Sequence, residues 1–163
     1  GFDAGQLRDG GFDAGQLYQS GFDCRQLKDA GFSPSALREI GFDHRRLKEI
    51  GFNAGDLKNS GSSARQLKEA GFSAGQLREA GGVAHELKFA GFDAGQLKEG
   101  GFLAGQLKSS FNVGQLKEGG FNAGQLKEVG FDAEQLKEAG FSALELKEIG
   151  VGLGQLRKIG FSF

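Results

Sequence analysis

Two histidines, His44 and His85, and one cysteine, Cys24, are the only imidazole and thiol side chains among 163 residues. A zinc site takes three or four such ligands, each about 2.0–2.3 Å from the metal. His85-Glu86 has no second histidine four residues on, which a helical zinc-protease motif requires. Cys24, His44 and His85 lie in separate stretches, so no metal is expected, and Cys24 reads as a small buried side chain. A lone cysteine also excludes an internal disulfide. The other chemically capable side chains are basic. Arg25, Arg45, Arg65 and His85 recur at twenty-residue intervals, and Arg46 adjoins the second of them. A row of guanidinium groups can grip carboxylate or phosphate with paired hydrogen bonds. No Ser-His-Asp arrangement, isolated carboxylate pair or cofactor fingerprint accompanies them. The expectation is a non-enzyme without cofactor.

The spacing of those residues is set by a repeat. The chain has a period of ten, written Gly-Phe-Asp-Ala-Gly-Gln-Leu-Lys-Glu-Ala, with fifteen full units, one unit of nine (Phe111 to Gly119) and the start of a seventeenth at Gly160. Position seven is Leu in every unit, and position two is Phe except at Ser62, Gly82 and Val151. Position eight is Lys or Arg except at Tyr18. The 30 glycines, far above the usual share of about 7%, are therefore mostly punctuation.

Each unit specifies both ends of a short helix. Position three is Asp, Asn or Ser in thirteen units, side chains that accept hydrogen bonds from the free amides of a helix start. Gln or Glu follows three residues later in thirteen units, completing a capping box, with Phe before the cap and Leu as the fourth helical residue. Pro34 directly follows Ser33, at the first-turn site where proline forfeits no hydrogen bond. The next unit's Gly supplies a left-handed residue that stops the helix. Positions four, seven and ten share the buried face. Helices shorter than about 12 residues are marginal alone, so the units must stack. The fold class expected is all-α, a solenoid of sixteen such units spanning 1–163. The alternative is a pentapeptide-like β-solenoid, which would turn Arg25, Arg45, Arg65, His85, Glu134 and Leu144 into a narrow core.

At Gly91-Phe92-Asp93-Ala94-Gly95-Gln96-Leu97-Lys98-Glu99 the sequence resembles decapeptide-repeat proteins of algae and other protists, whose units read Ala-Gly-Phe-Ser-x-x-Glu-Leu-Lys-x. The likeness runs over essentially the whole chain, with Asp preferred to Ser at the cap and Gln to Glu before Leu. It implies a short-helix solenoid and brings no catalytic residues.

The functional reading follows from the departures. A net charge of −1 argues against nucleic-acid backbone binding, and no apolar run approaches the length of a membrane span. The Lys and Glu columns at positions eight and nine read as a solvated face of Lys–Glu pairs between neighbouring units. The position-five glycines read as exposed and unconstrained. Tyr18, Phe89 and Leu103 place apolar side chains at otherwise polar positions. The chain opens on consensus at Gly1-Phe2-Asp3 and stops at Phe161-Ser162-Phe163 with its terminal phenylalanines uncovered. This suggests a piece of a longer array, or ends covered by other subunits. The leading expectation is a structural scaffold or linker within a larger assembly, with protein partners covering the ends or one face. Its binding candidates are Tyr18, Arg25, Arg45, Arg46, Arg65, His85, Phe89 and Leu103. The alternative is a module that recognises a peptide or anion along the alternate-unit basic column.

Overall fold

The capping residues place the helices. The computed structural model describes residues 1–162, and sixteen α-helices and no strand occur among the described residues. The all-α reading holds and the β-solenoid is excluded. Phe163, one of the terminal side chains expected to be uncovered, lies outside the described residues. The chain forms two compact bodies, Gly1–Gly81 and Gly82–Phe163. The first contains α1 (Ala4–Asp9), α2 (Ala14–Gln19), α3 (Cys24–Asp29), α4 (Pro34–Glu39), α5 (His44–Glu49), α6 (Ala54–Asn59), α7 (Ala64–Glu69) and α8 (Ala74–Glu79). The second contains α9 (Ala84–Phe89), α10 (Ala94–Glu99), α11 (Ala104–Leu107), α12 (Val113–Glu118), α13 (Ala123–Glu128), α14 (Ala133–Glu138), α15 (Ala143–Glu148) and α16 (Leu153–Lys158).

The helix starts follow the capping rule. The Gln6 amide donates to the Asp3 carboxylate at 2.8 Å, while the Asp3 amide donates back to the Gln6 side chain at 3.0 Å. Ser33 caps α4 with Pro34 at its first turn. Val83, Leu103 and Gly152 supply no side-chain acceptor. At Leu103 half of the box survives, because its amide donates to Gln106 at 2.8 Å.

The helix stops are as regular. Gly11 has φ 94°, its amide donates to the Arg8 carbonyl at 2.8 Å, and the Phe12 amide donates to the Leu7 carbonyl at 3.1 Å. That pair of bonds is the Schellman ending, in which a left-handed glycine satisfies carbonyls the helix would leave open. Every later unit-leading glycine also has positive φ, between 76° and 101°. The nine-residue unit is the exception. There α11 stops at Leu107, and the Phe111 amide donates to the Leu107 carbonyl at 2.9 Å without any left-handed residue. One lost residue is absorbed in the corner, and Phe111 stays buried.

Packing runs both to the next unit and to the one after it. Alongside successive pairs, α1 packs on α3, α6 on α8, α9 on α11, α10 on α12, and α12 on α14. Within each body, units two apart therefore lie on the same side. The position-seven leucines from Leu17 onward are buried, with Ala at position four beside them. A fully buried Leu contributes about 2 kcal/mol, which isolated six-residue helices cannot collect. No helix among the described residues is long and apolar enough to cross a membrane.

Candidate interaction surface

The basic column is a correction to the sequence reading. Two ion pairs, Arg8–Asp9 at 2.9 Å and Arg46–Glu49 at 3.4 Å, each lie within a single unit. The lysines instead reach two units ahead and donate to the carbonyls that end those helices. Lys28 reaches Ile50 O at 3.0 Å, Lys58 reaches Gly81 O at 3.1 Å, Lys108 reaches Val129 O at 2.8 Å and Lys127 reaches Ile149 O at 2.6 Å. Lys98 and Lys117 do the same to Gly120 and Gly140. From the same place the ammonium lies over the next corner's ring: Lys28 over Phe52 at 5.2 Å, Lys88 over Phe111 at 4.7 Å, Lys117 over Phe141 at 4.6 Å. A cation at a helix C-terminus is worth about 0.3–1 kcal/mol, and a cation over an exposed ring a similar amount.

This arrangement segregates charge. Lysines are drawn to the corners, while positions five, six and nine form the outward helical face. In the second body that face carries Glu86, Glu99, Glu118, Glu128, Glu134, Glu138, Glu145 and Glu148 against Lys158 alone. Glu145 is held below the usual carboxylate range by hydrogen bonds from the Ser142 amide and hydroxyl, both at 2.7 Å.

The first body's outward face holds the arginine candidates. Arg25, Arg45 and Arg65 are exposed on α3, α5 and α7, and contacts two units apart put these helices on one edge. The column is not purely basic. Arg45 shares its groove between α5 and α7 with Asp43, Gln66 and Glu69, and Arg46 pairs with Glu49. His85 is exposed on α9, in the other body.

Several singled-out residues serve the fold. Tyr18 stands where a lysine would lie over a ring, and it meets Phe42 edge-on at 5.1 Å between centroids, remaining 46% exposed. His44 Nε2 and Ser62 Oγ are 2.8 Å apart. His44 replaces the usual Ala and Ser62 the usual Phe, so a large-for-small change in one unit is matched by a small-for-large change two units later. Elsewhere Phe22 lines a groove with Ala4, and Phe111 with Ala94, in that same relation. Burial, reinforced by Arg38 and opposed by Asp43, lowers the His44 pKa. Cys24 is buried, and that burial pushes its thiol up while Arg46 opposes. Among the described residues no group of His, Cys, Asp and Glu could hold a metal ion.

The position-five glycines lie near side chains two units ahead, at distances that still admit a Cβ. A Cβ on Gly15 would lie 3.5 Å from Ile40, and one on Gly124 3.6 Å from Ile149, each two units ahead. At position ten, a Cβ on Gly119 would lie 2.7 Å from backbone and side-chain atoms of Ala94 and Gly95.

The apolar departures are exposed. Phe89 is 80% exposed, Leu103 71% and Val83 48%. Val83 escaped the sequence reading because β-branched residues are unremarkable before a helix. Its signal was the missing cap acceptor. Val83 and Leu103 occupy position three of alternate units, on the edge formed by α9 and α11. No curated protein and no solved structure matches the chain. A family model described as a decapeptide repeat region matches residues 1–64, 51–110 and 110–163. The chain thus belongs to the decapeptide-repeat family, and its capped helices and Gly-Phe corners are that repeat in three dimensions.

Proposed function

We propose that this chain is a non-enzymatic scaffold that offers a regular helical surface to protein partners. One observation carries the reading. At Val83 and Leu103 the array forgoes a side-chain cap, at a cost of about 1 kcal/mol each, and turns an aliphatic side chain toward solvent. Both side chains stay exposed, which supports reading the exchange as provision for an external contact. The anion-binding alternative is weaker, because Glu49 and Glu69 are interleaved with its arginines. Chemical cross-linking of the tagged chain in its native extract tests the scaffold reading. Cross-links to defined polypeptides, recurring at 82–110, are expected. Recovery of an un-cross-linked monomer that instead binds inorganic phosphate through Arg25, Arg45 and Arg65 would replace it.

A further inference from the structure

We infer that the corner closing α4, at Ile40-Gly41-Phe42 beside Tyr18, binds an alkylammonium group from outside the array, the side chain of a partner's lysine. The array itself shows what such a corner holds. Lys28 and Lys137 donate to helix-ending carbonyls, Ile50 O and Ile159 O, and each ammonium lies 5.2 Å from the ring that follows, Phe52 or Phe161. Lys48, Lys88, Lys98 and Lys117 repeat both contacts, with rings at 4.6–5.1 Å. The lysine due at the α4 corner would come from position eight two units earlier, and that residue is Tyr18. It brings no cation. Among the described residues no side chain donates to the carbonyl of Ile40 or Gly41. A Cβ on the corner glycine would meet a lysine Nζ at 2.9–3.4 Å at Gly51, Gly71, Gly120 and Gly140, and nothing within 4 Å at Gly41.

The chemistry of the vacant corner selects the occupant. The C-terminal carbonyls of α4 keep their partial negative charge without the cation that other corners receive. The rings remain available to a cation as well. Tyr18 and Phe42 meet at 73°, so the ring that offers its edge keeps both faces clear of the other. Tyr18 is 46% exposed, which opens the corner to solvent. Arg38 precedes this corner, with Glu39 and Asp43 on either side of it. Its charge does not bar an ammonium, because the Ile50 corner takes Lys28 with Lys48 and Glu49 in the corresponding places. The partner as source of the lysine rests on the scaffold reading; the ammonium site itself rests on the corner geometry.

The test titrates the full ¹⁵N-labelled chain with n-butylammonium chloride, the lysine stem and its charge, at constant ionic strength. 1-Butanol serves as the uncharged control. Tyr18 is the only tyrosine, so its ring signals report on the corner directly. Those signals and the Gly41 and Phe42 amides are expected to shift saturably with butylammonium and not with butanol. Tyr18→Lys supplies the missing lysine, so its melting temperature does not fall and the Gly41 and Phe42 response is lost. Equal shifts with butanol, a response retained in Tyr18→Lys, or the same response at the Lys28-filled Gly51 corner overturns the site. A partner recovered by native cross-linking is expected to bind Tyr18→Lys about tenfold more weakly than the wild type, the combined scale of a helix-end and a ring contact. Equal binding of the two overturns the partner's lysine while the scaffold reading stands. If the wild type cross-links to nothing, the scaffold reading falls and the partner's lysine with it.

Discussion

A single side chain in this array is answerable to a residue about twenty positions away. His44 and Ser62 show it most directly, since each departs from consensus in a way that only the other explains. His44→Ala alone leaves the buried Ser62 hydroxyl without its partner, a loss of about 1–3 kcal/mol. Adding Ser62→Phe restores the consensus pair, so the double variant recovers most of that loss in a urea-denaturation cycle. The pair also gives a pH signature. The folded protein holds His44 below its usual pKa of about 6.5, so the unfolded chain binds the proton more readily. The His44 contribution is therefore full above about 6.5 and shrinks as pH falls below it. The double variant should gain on the wild type between pH 7.5 and pH 5, read as the shift in urea midpoint. Gly119 makes the same point by sterics. Its φ is −72°, which any residue accepts, but a methyl group would meet the α10 backbone. Gly119→Ala is expected to destabilise by about 1–3 kcal/mol, the range for overpacking.

For the element, one helix of six residues is stabilised at its start by its own side chains and at its end by another unit's. The start was legible in the sequence: Asp3 with Gln6, Ser33 with Pro34 and the glycine corners all follow from local rules. The end was not. A period of ten says nothing about which unit lies beside which, so the target of Lys127 cannot be read from its own unit. The balanced columns suggested the nearest glutamates, and the structure gives the Ile149 carbonyl instead. The binding candidates divide in the same way. Phe89 and Leu103 announced themselves by polarity, whereas the ring contact of Tyr18 could not be read, because Phe42 lies in a unit three further on. The distinction is measurable. Lys127→Met should cost about 1 kcal/mol through loss of the helix-end contact. Glu128→Gln, the adjacent member of the acidic column, should change stability by less than about 0.5 kcal/mol. Equal losses from the two would restore the Lys–Glu explanation.

At the scale of the whole molecule, alternation between two sides matters more than length. Within the second body, removing the two units Gly120–Ala139 should leave a folded protein, since stability in such arrays is close to a sum of unit and neighbour terms. Its urea m-value should fall by about one-eighth, the share of residues removed. Removing only Gly120–Val129 transfers everything beyond to the opposite edge, which a pair of spin labels at Ser109 and Glu148 would report as a longer separation than in the two-unit deletion. The lysine contacts also carry a mechanical consequence. Lys108 and Lys127 tie points only 21 and 22 residues apart, and no strand or disulfide among the described residues shares load over greater lengths. Pulled by its ends, such a chain yields by peeling rather than by rupture. Each ten-residue step pays out at most about 36 Å of contour and leaves the remaining units latched, so tension is met with gradual, re-sealable extension.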